Sequence, residues 1–165
     1  MIDMDFRNLN KTQKLTISAI VMACYIVLMY CTQSFAFGQY QIRIATALYG
    51  LAYLFPFLVL PLGLSNLLSN MLMGGLGFFD IVGGGLAGIL TAGACMLLGK
   101  KKLGKAFVIA PVTLIPALLV SSWLSVILNV PYTAMAISLL VGQFIAGVVS
   151  ALLVKSLARA FNMEK

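Results

Sequence analysis

The chain has 165 residues, of which 62% are hydrophobic and 9% charged, and its mean hydropathy is +1.06. A water-soluble domain of this length cannot hide that much apolar surface, so the bilayer is the natural solvent. The net charge of +7 comes from basic residues clustered at segment ends, which reads as a topology signal and not as a nucleic-acid-binding surface.

A helix crossing the hydrocarbon core needs roughly 20 apolar residues. The first candidate runs from about Leu15 to Phe35, behind a short polar N-terminal segment, residues 1–13. No convincing small-residue cleavage site follows it, so it reads as a retained helix and not as a signal peptide. A polar stretch from Phe37 to Arg43 leads to a second helix, about Ile44 to Leu58. Pro61 and Gly63 predict a tight break, followed by a short third helix from Leu64 to Met73 that carries Ser65, Asn66, Ser69 and Asn70. Gly74-Gly75-Leu76-Gly77 is the next break, and a fourth helix spans about Phe79 to Leu98. The basic loop Lys100–Lys105 precedes a fifth helix, Ala106 to Leu128, which Pro111 and Pro116 should bend. A turn at Asn129-Val130-Pro131-Tyr132 opens the sixth, Thr133 to Ala160.

Charge orders these segments across the membrane. Basic residues favour the cytoplasmic side. Arg7, Lys11 and Lys14 place the N-terminus inside, Lys155, Arg159 and Lys165 place the C-terminus inside, and the Lys100 loop must also be inside. Six spans meet all three conditions, with four of them before the loop. A four-span arrangement, with the second and third helices merged into something non-spanning, keeps the same parity. The expected fold is therefore an all-α integral membrane protein, one domain of six transmembrane helices with both termini cytoplasmic.

Arg43 is then the one basic residue of eleven on the outer side, and Asp80 lies there with it. An ionisable side chain among membrane-length apolar segments must face water, a partner or a ligand. Two readings stand. The pair forms a structural salt bridge between outer loops, or it marks a site for a small polar molecule, with Asp80 accepting from N–H groups and Arg43 donating to a carbonyl. Gln41, Asn70, Asn129, Tyr132 and Gln143 are the neutral polar candidates near that end. Gln143 serves equally well as an interhelical hydrogen-bonding residue. Gly84, Gly88 and Ala92 behind Asp80, and Gly142, Ala146 and Ser150 in the sixth helix, are small-residue stripes that read as close helix packing. Cys24, Cys31 and Cys95 lack metal-ligand spacing and read as small buried apolar residues. No His is present, and no G-x-x-x-x-G-K-[ST] loop occurs, so neither catalysis nor ATP binding by that loop is expected. No cofactor and no metal are expected.

The residues around the two charges resemble the QueT family, substrate-binding S-components of energy-coupling factor (ECF) transporters. Gln41-Ile42-Arg43-Ile44-Ala45-Thr46-Ala47-Leu48 is similar to that family's Q-F-R-I-S-E-A-L, Leu76-Gly77-Phe78-Phe79-Asp80-Ile81-Val82 to its L-G-L-L-D-I-V, and Leu67-Leu68-Ser69-Asn70 to its L-L-A-N. The resemblance implies a six-helix S-component bundle whose site is roofed by outer loops, with queuosine, queuine or another 7-deazaguanine precursor as substrate. It also implies a role for Ala19 and Ala23, an A-x-x-x-A pattern on the first helix: docking a transmembrane coupling subunit that works with two ATPase subunits. Two family acids are replaced. Thr46 stands for the Glu after R-I-S, and Gln143 for the Glu of a G-E pair. Other classes compatible with the composition are an S-component for another vitamin, a stand-alone channel or secondary carrier, and a membrane scaffold. A carrier needs ion-coupling acids or an internal duplication, neither of which is visible, and a scaffold leaves Arg43, Asp80 and Gln143 without a role.

Overall fold

The computed structural model of the protein describes residues 9–36, 42–73 and 76–163. Helix α1 (Lys11–Cys31) starts four residues before its apolar run. The cause is a capping box: the Asn10 side chain accepts from the Gln13 amide at 2.8 Å, and the Gln13 side chain accepts from the Asn10 amide at 2.9 Å. One further turn, Gln33–Ala36, follows. Helix α2 (Ile44–Leu54) winds as a 3-10 helix over Ile44–Gly50 and as an α-helix over Leu51–Leu54. The remaining helices are α3 (Pro56–Met73), α4 (Phe78–Lys100), α5 (Lys105–Leu128) and α6 (Tyr132–Ala160). All described elements are helical. Among the described residues, five helices are long and apolar enough to cross a membrane, and α2 is a shorter apolar one.

The break between α2 and α3 is not where Pro61 and Gly63 suggested. It falls at Phe55-Pro56, where Phe55 has φ −126° and ψ 84°. A residue before proline is pushed out of the α region, and Pro56 then starts the next helix at a position where its missing N–H is harmless. Pro61 comes three residues into the α-helical stretch Val59–Met73, still within its first turn, and is accommodated there. Gly63 is helical because it is a contact point: a Cβ there would collide with Ile89 of α4. Pro116, by contrast, sits inside α5 as expected.

Helix α2 occupies the middle of the bundle. It packs against α1, α3, α4, α5 and α6, and Ala45, Thr46, Ala47, Tyr49, Gly50, Leu51 and Ala52 are all buried. Its rise, about 2.0 Å per 3-10 residue and 1.5 Å per α residue, gives it a length of roughly 20 Å, shorter than a hydrocarbon core of about 30 Å. It nevertheless runs from one end of the bundle to the other. At its start Arg43 reaches Asn70, which bonds the Asp80 carbonyl. At its end the Tyr53 hydroxyl donates to the Leu103 carbonyl, and Phe55 packs edge-on against Phe161 with centroids 6.4 Å apart. The loop after α4 and the end of α6 therefore share one end of the bundle. The last turns of α1 and α3 meet at the opposite end, where Tyr30 and Gln33 line a groove with Leu72 and Met73. Lys11 and Lys14 consequently lie at the same end as the Lys100–Lys105 loop, Lys155 and Arg159.

The small-residue stripes pack as expected. Gly84 and Gly88 of α4 face Asn70 and Tyr49, and a Cβ at Gly84 would strike the Asn70 amide. The outer surface is apolar, with Leu15, Phe78, Phe79, Val126 and Leu152 all exposed, as a lipid-facing surface requires. Cys95 is buried, but Cys24 and Cys31 are exposed, which corrects the reading of all three as buried. Helix α1 is peripheral: 11% of its apolar window is buried against 39–44% for the other four long helices. In a bilayer, exposed apolar residues on it are in contact with lipid or a partner, so hydrophobicity alone did not separate them from core positions.

Candidate functional site

Asp80 is the third residue of α4, one turn after Gly77, whose φ of +98° only glycine adopts readily. From there its carboxylate reaches back. Oδ2 accepts from the Leu76 amide at 3.2 Å, and Oδ1 accepts from the Trp123 indole of α5 at 3.1 Å. An acid in the first turn also complements the helix dipole. The Trp123 ring lies over Gly83, where an added Cβ would sit 3.0 Å from it. Asp80 thus fastens α4 to α5 at the end away from the lysines, and it is only 2% exposed.

Arg43 meets the same face of α3 from the start of α2. Its Nε donates to the Ala36 carbonyl at 3.3 Å, and one terminal nitrogen reaches Asn70 Oδ1 at 3.3 Å and Asn66 Oδ1 at 3.5 Å. Asn66 and Asn70 lie one turn apart on α3, so both amides face the same guanidinium. Their Nδ2 groups are also used: Asn70 donates to the Asp80 carbonyl at 3.0 Å, and Asn66 to the Gly84 carbonyl at 2.7 Å. The two lone charges of the sequence are therefore joined through Asn70. The side chain of Asp80 is engaged by Trp123 and Leu76, so the direct salt-bridge reading is replaced by a relay.

Behind this relay is a polar cavity of about 10 Å³, room for about one water molecule. Arg43, Thr46, Tyr49, Asn66 and Gln143 are its polar lining, and Ala87, Pro116, Val120 and Leu139 its apolar one. Thr46 Oγ is 2.7 Å from the Arg43 carbonyl and 2.8 Å from Gln143 Oε1. One hydroxyl proton cannot serve two acceptors. The arrangement is fully satisfied when the Gln143 amide is turned so that its NH₂ donates to Thr46 and Thr46 donates to Arg43. The two positions where acids of the resembled family are replaced thus touch each other. On the side of α1, the buried hydroxyls of Tyr25 and Tyr49 bond at 3.0 Å.

Of the candidates read from the sequence, Arg43 and Gln143 meet at the cavity, with Asn70 and Asp80 in the adjoining layer. Gln41 lies outside the described residues. Asn129 and Tyr132 are exposed and do not line the cavity. Asn129 has φ 53° and ψ 41° and ends α5 as its left-handed cap, with the Val130 amide bonded to the Ser125 carbonyl. The Tyr132 hydroxyl bonds the Leu118 carbonyl at 3.3 Å, tying α6 to α5. Asn66, Thr46 and Tyr49 were not singled out as site residues. The signals for the first two were present: Asn66 and Asn70 at i, i+4 on an apolar helix, and Thr46 three residues after Arg43.

These buried polar groups are set in a bundle of apolar helices that match a known family. The QueT transporter family matches residues 15–159. The chain belongs to that family. It is a multi-pass membrane protein with a role in transport and not in catalysis. Comparison with curated proteins and with solved structures finds no match. The family match extends from α1 to the last turn of α6, so it includes every residue of the cavity and of the Asp80 brace. Ala19 and Ala23 are both exposed on α1, on a face that none of the other helices covers.

Proposed function

We propose that this protein is the substrate-binding S-component of an ATP-driven ECF-type uptake transporter, and that it binds queuosine, queuine or a related 7-deazaguanine at the cavity between α2, α3, α4, α5 and α6. The observation that carries this reading is the cavity lined by Arg43, Thr46, Asn66 and Gln143 in the interior of an apolar bundle. Buried polar groups of this density in a membrane protein mark a substrate path. A guanine-type edge presents a carbonyl oxygen beside N–H donors. Arg43 supplies the donor for the carbonyl, and the amides of Asn66 and Gln143 each supply both a donor and an acceptor. Admitting a two-ring base requires the side chains around the cavity to spread, and the Thr46–Gln143 contact is the neutral link across it. Asp80 acts one layer away, holding Trp123 and, through Asn70, the position of Arg43.

The orientation follows from charge. Lys11, Lys14, the Lys100–Lys105 loop, Lys155 and Arg159 share one end of the bundle, so that end is cytoplasmic. Helix α2 is the sixth crossing, short because it is enclosed by the other helices. The site then opens outward, beside Gly77 and Asn129. In a variant without Cys24, Cys31 and Cys95, a cysteine at Val130 reacts with a membrane-impermeant maleimide on intact cells, and one at Lys101 reacts only after lysis. Labelling of Lys101→Cys from outside would reverse the orientation.

The chain has no ATP-binding loop of the Walker form, so uptake draws on separate subunits: a transmembrane coupling protein and two ATPases. Ala19 and Ala23 supply a narrow, exposed strip on α1 at which such a partner helix can approach closely. Replacing both with Leu leaves the affinity of the isolated subunit for a 7-deazaguanine within about twofold. The same change lowers uptake in cells expressing the coupling module at least tenfold. Equal losses in both measurements would make the strip part of the subunit's own packing.

A further inference from the structure

We propose that Tyr49 is a ligand-binding residue that donates its phenolic proton to an acceptor atom of the substrate, and that Tyr25 of α1 is the positioning residue that turns this proton into the cavity. This inference rests on the functional reading above. Tyr49 lines the cavity and is only 1% exposed. Tyr25 stands behind it, fully buried, with the two hydroxyls 3.0 Å apart and the ring centroids 5.8 Å apart. At Gly88 of α4 an added Cβ would sit 3.0 Å from the Tyr49 hydroxyl, so α4 is narrow where that group lies. Helix α1 is otherwise the least enclosed long helix, and Tyr25 and Met29 are its buried residues. A buried hydroxyl there needs a partner, and among the described residues its hydrogen bond goes to Tyr49.

The direction of that bond follows from counting protons. Each phenol has one proton to give, and its oxygen can also accept. If Tyr49 donated to Tyr25, the Tyr25 proton would be stranded in the apolar contact between α1 and α2, since no other described group accepts it. If Tyr25 donates to Tyr49, that proton is used and the one left over belongs to Tyr49, which faces a polar cavity. The second order avoids a buried donor without an acceptor. The Asn66 side chain also interacts with the Tyr49 hydroxyl. One Asn66 Nδ2 proton goes to the Gly84 carbonyl and Oδ1 faces Arg43, so the second Nδ2 proton is the one offered to Tyr49. Arg43, the cation of the lining, carries donors and no acceptor. The Tyr49 oxygen is thus supplied with donors from α1 and α3, and its own proton is directed to what enters the cavity. A ring nitrogen or carbonyl oxygen of a 7-deazaguanine is the matching acceptor. Helix α1 takes part in the site without touching the ligand, because its hydroxyl fixes which way Tyr49 donates.

The test is titration calorimetry with queuine and with 7-cyano-7-deazaguanine on the full-length protein in lipid nanodiscs, for the parent, Tyr49→Phe, Tyr25→Phe and the double variant, with a thermal melt of each. Tyr49→Phe binds about tenfold more weakly, the effect of one lost hydrogen bond. Tyr25→Phe, which keeps the donor but frees its direction, binds about threefold more weakly. The double variant matches Tyr49→Phe, because Tyr25 has nothing left to position. It also removes both partners of the hydroxyl pair, so it tests the donor even if Tyr49→Phe alone does not fold. Parent affinity in a folded Tyr49→Phe or double variant overturns the inference and leaves the transporter reading intact. So does a double variant that fails to fold, since the pair is then structural. A Tyr25→Phe loss that persists undiminished in the Tyr49→Phe background makes Tyr25 a packing residue and overturns its positioning role. Binding of neither compound by the parent overturns the deazaguanine reading, and the inference with it.

Discussion

Arg43→Gln lowers the affinity for a 7-deazaguanine ligand at least a hundredfold. In the proposed function the guanidinium is the donor that the cavity offers to a ligand carbonyl. Charge-assisted hydrogen bonds contribute on the order of 1.5–3 kcal/mol each, and a hundredfold corresponds to about 2.8 kcal/mol. Losing one or two such bonds accounts for the effect. Stability changes less. The variant leaves the Ala36 carbonyl and the amide oxygens of Asn66 and Asn70 short of a donor, at about 1–3 kcal/mol for a buried unsatisfied group. It also removes a buried charge, and the desolvation relieved offsets part of that loss. Arg43→Lys keeps the charge but not the planar fork, so it cannot serve α2, α3 and a ligand together, and it falls between the two. Calorimetry and thermal melts on the three proteins check this. A folded Arg43→Gln protein with unchanged affinity would remove Arg43 from the site.

Asp80→Asn produces mainly a loss of stability, with a smaller effect on binding. Both carboxylate oxygens accept from N–H groups. An amide in their place keeps one acceptor and turns a donor toward either the Trp123 indole or the Leu76 amide, so one contact becomes a donor facing a donor. The expected destabilisation is about 1.5–3 kcal/mol, the range for a hydrogen bond to a charged group. Trp123 is the only tryptophan of the chain, so its emission reports on this contact directly. The emission of the variant shifts on loss of the indole bond, and its melting temperature falls. Affinity falls by less than in Arg43→Gln, because in the proposed function Asp80 acts on the ligand through Asn70 and Arg43. An Asp80→Asn protein with the parent's melting temperature and Trp emission, but with binding abolished, would place the carboxylate on the ligand instead.

The sequence carried the helical class, the apolar length of most segments and the two isolated charges, because each is set by local composition. A run of 20 apolar residues is a membrane helix wherever it folds, and a lone ionisable group in such a chain is conspicuous without any structure. Helix ends were less legible. The break at Pro56 and the continuity through Pro61 and Gly63 depend on position and contact: Pro56 opens its helix, Pro61 falls within the first turn of the α-helical stretch Val59–Met73, and Gly63 is held against Ile89. The partners of Asp80 and of Thr46 could not be read at all. Trp123 is 43 positions from Asp80 and Gln143 is 97 from Thr46, and only the packing of α4 on α5 and of α2 on α6 brings them together. For the same reason Asn129 and Tyr132, polar and close in sequence to the outer end, serve as a helix cap and a helix tie. Polarity and spacing determined which residues must avoid lipid. Tertiary structure decided which of them meet, because a buried polar group takes its partner from whichever helix packs against it.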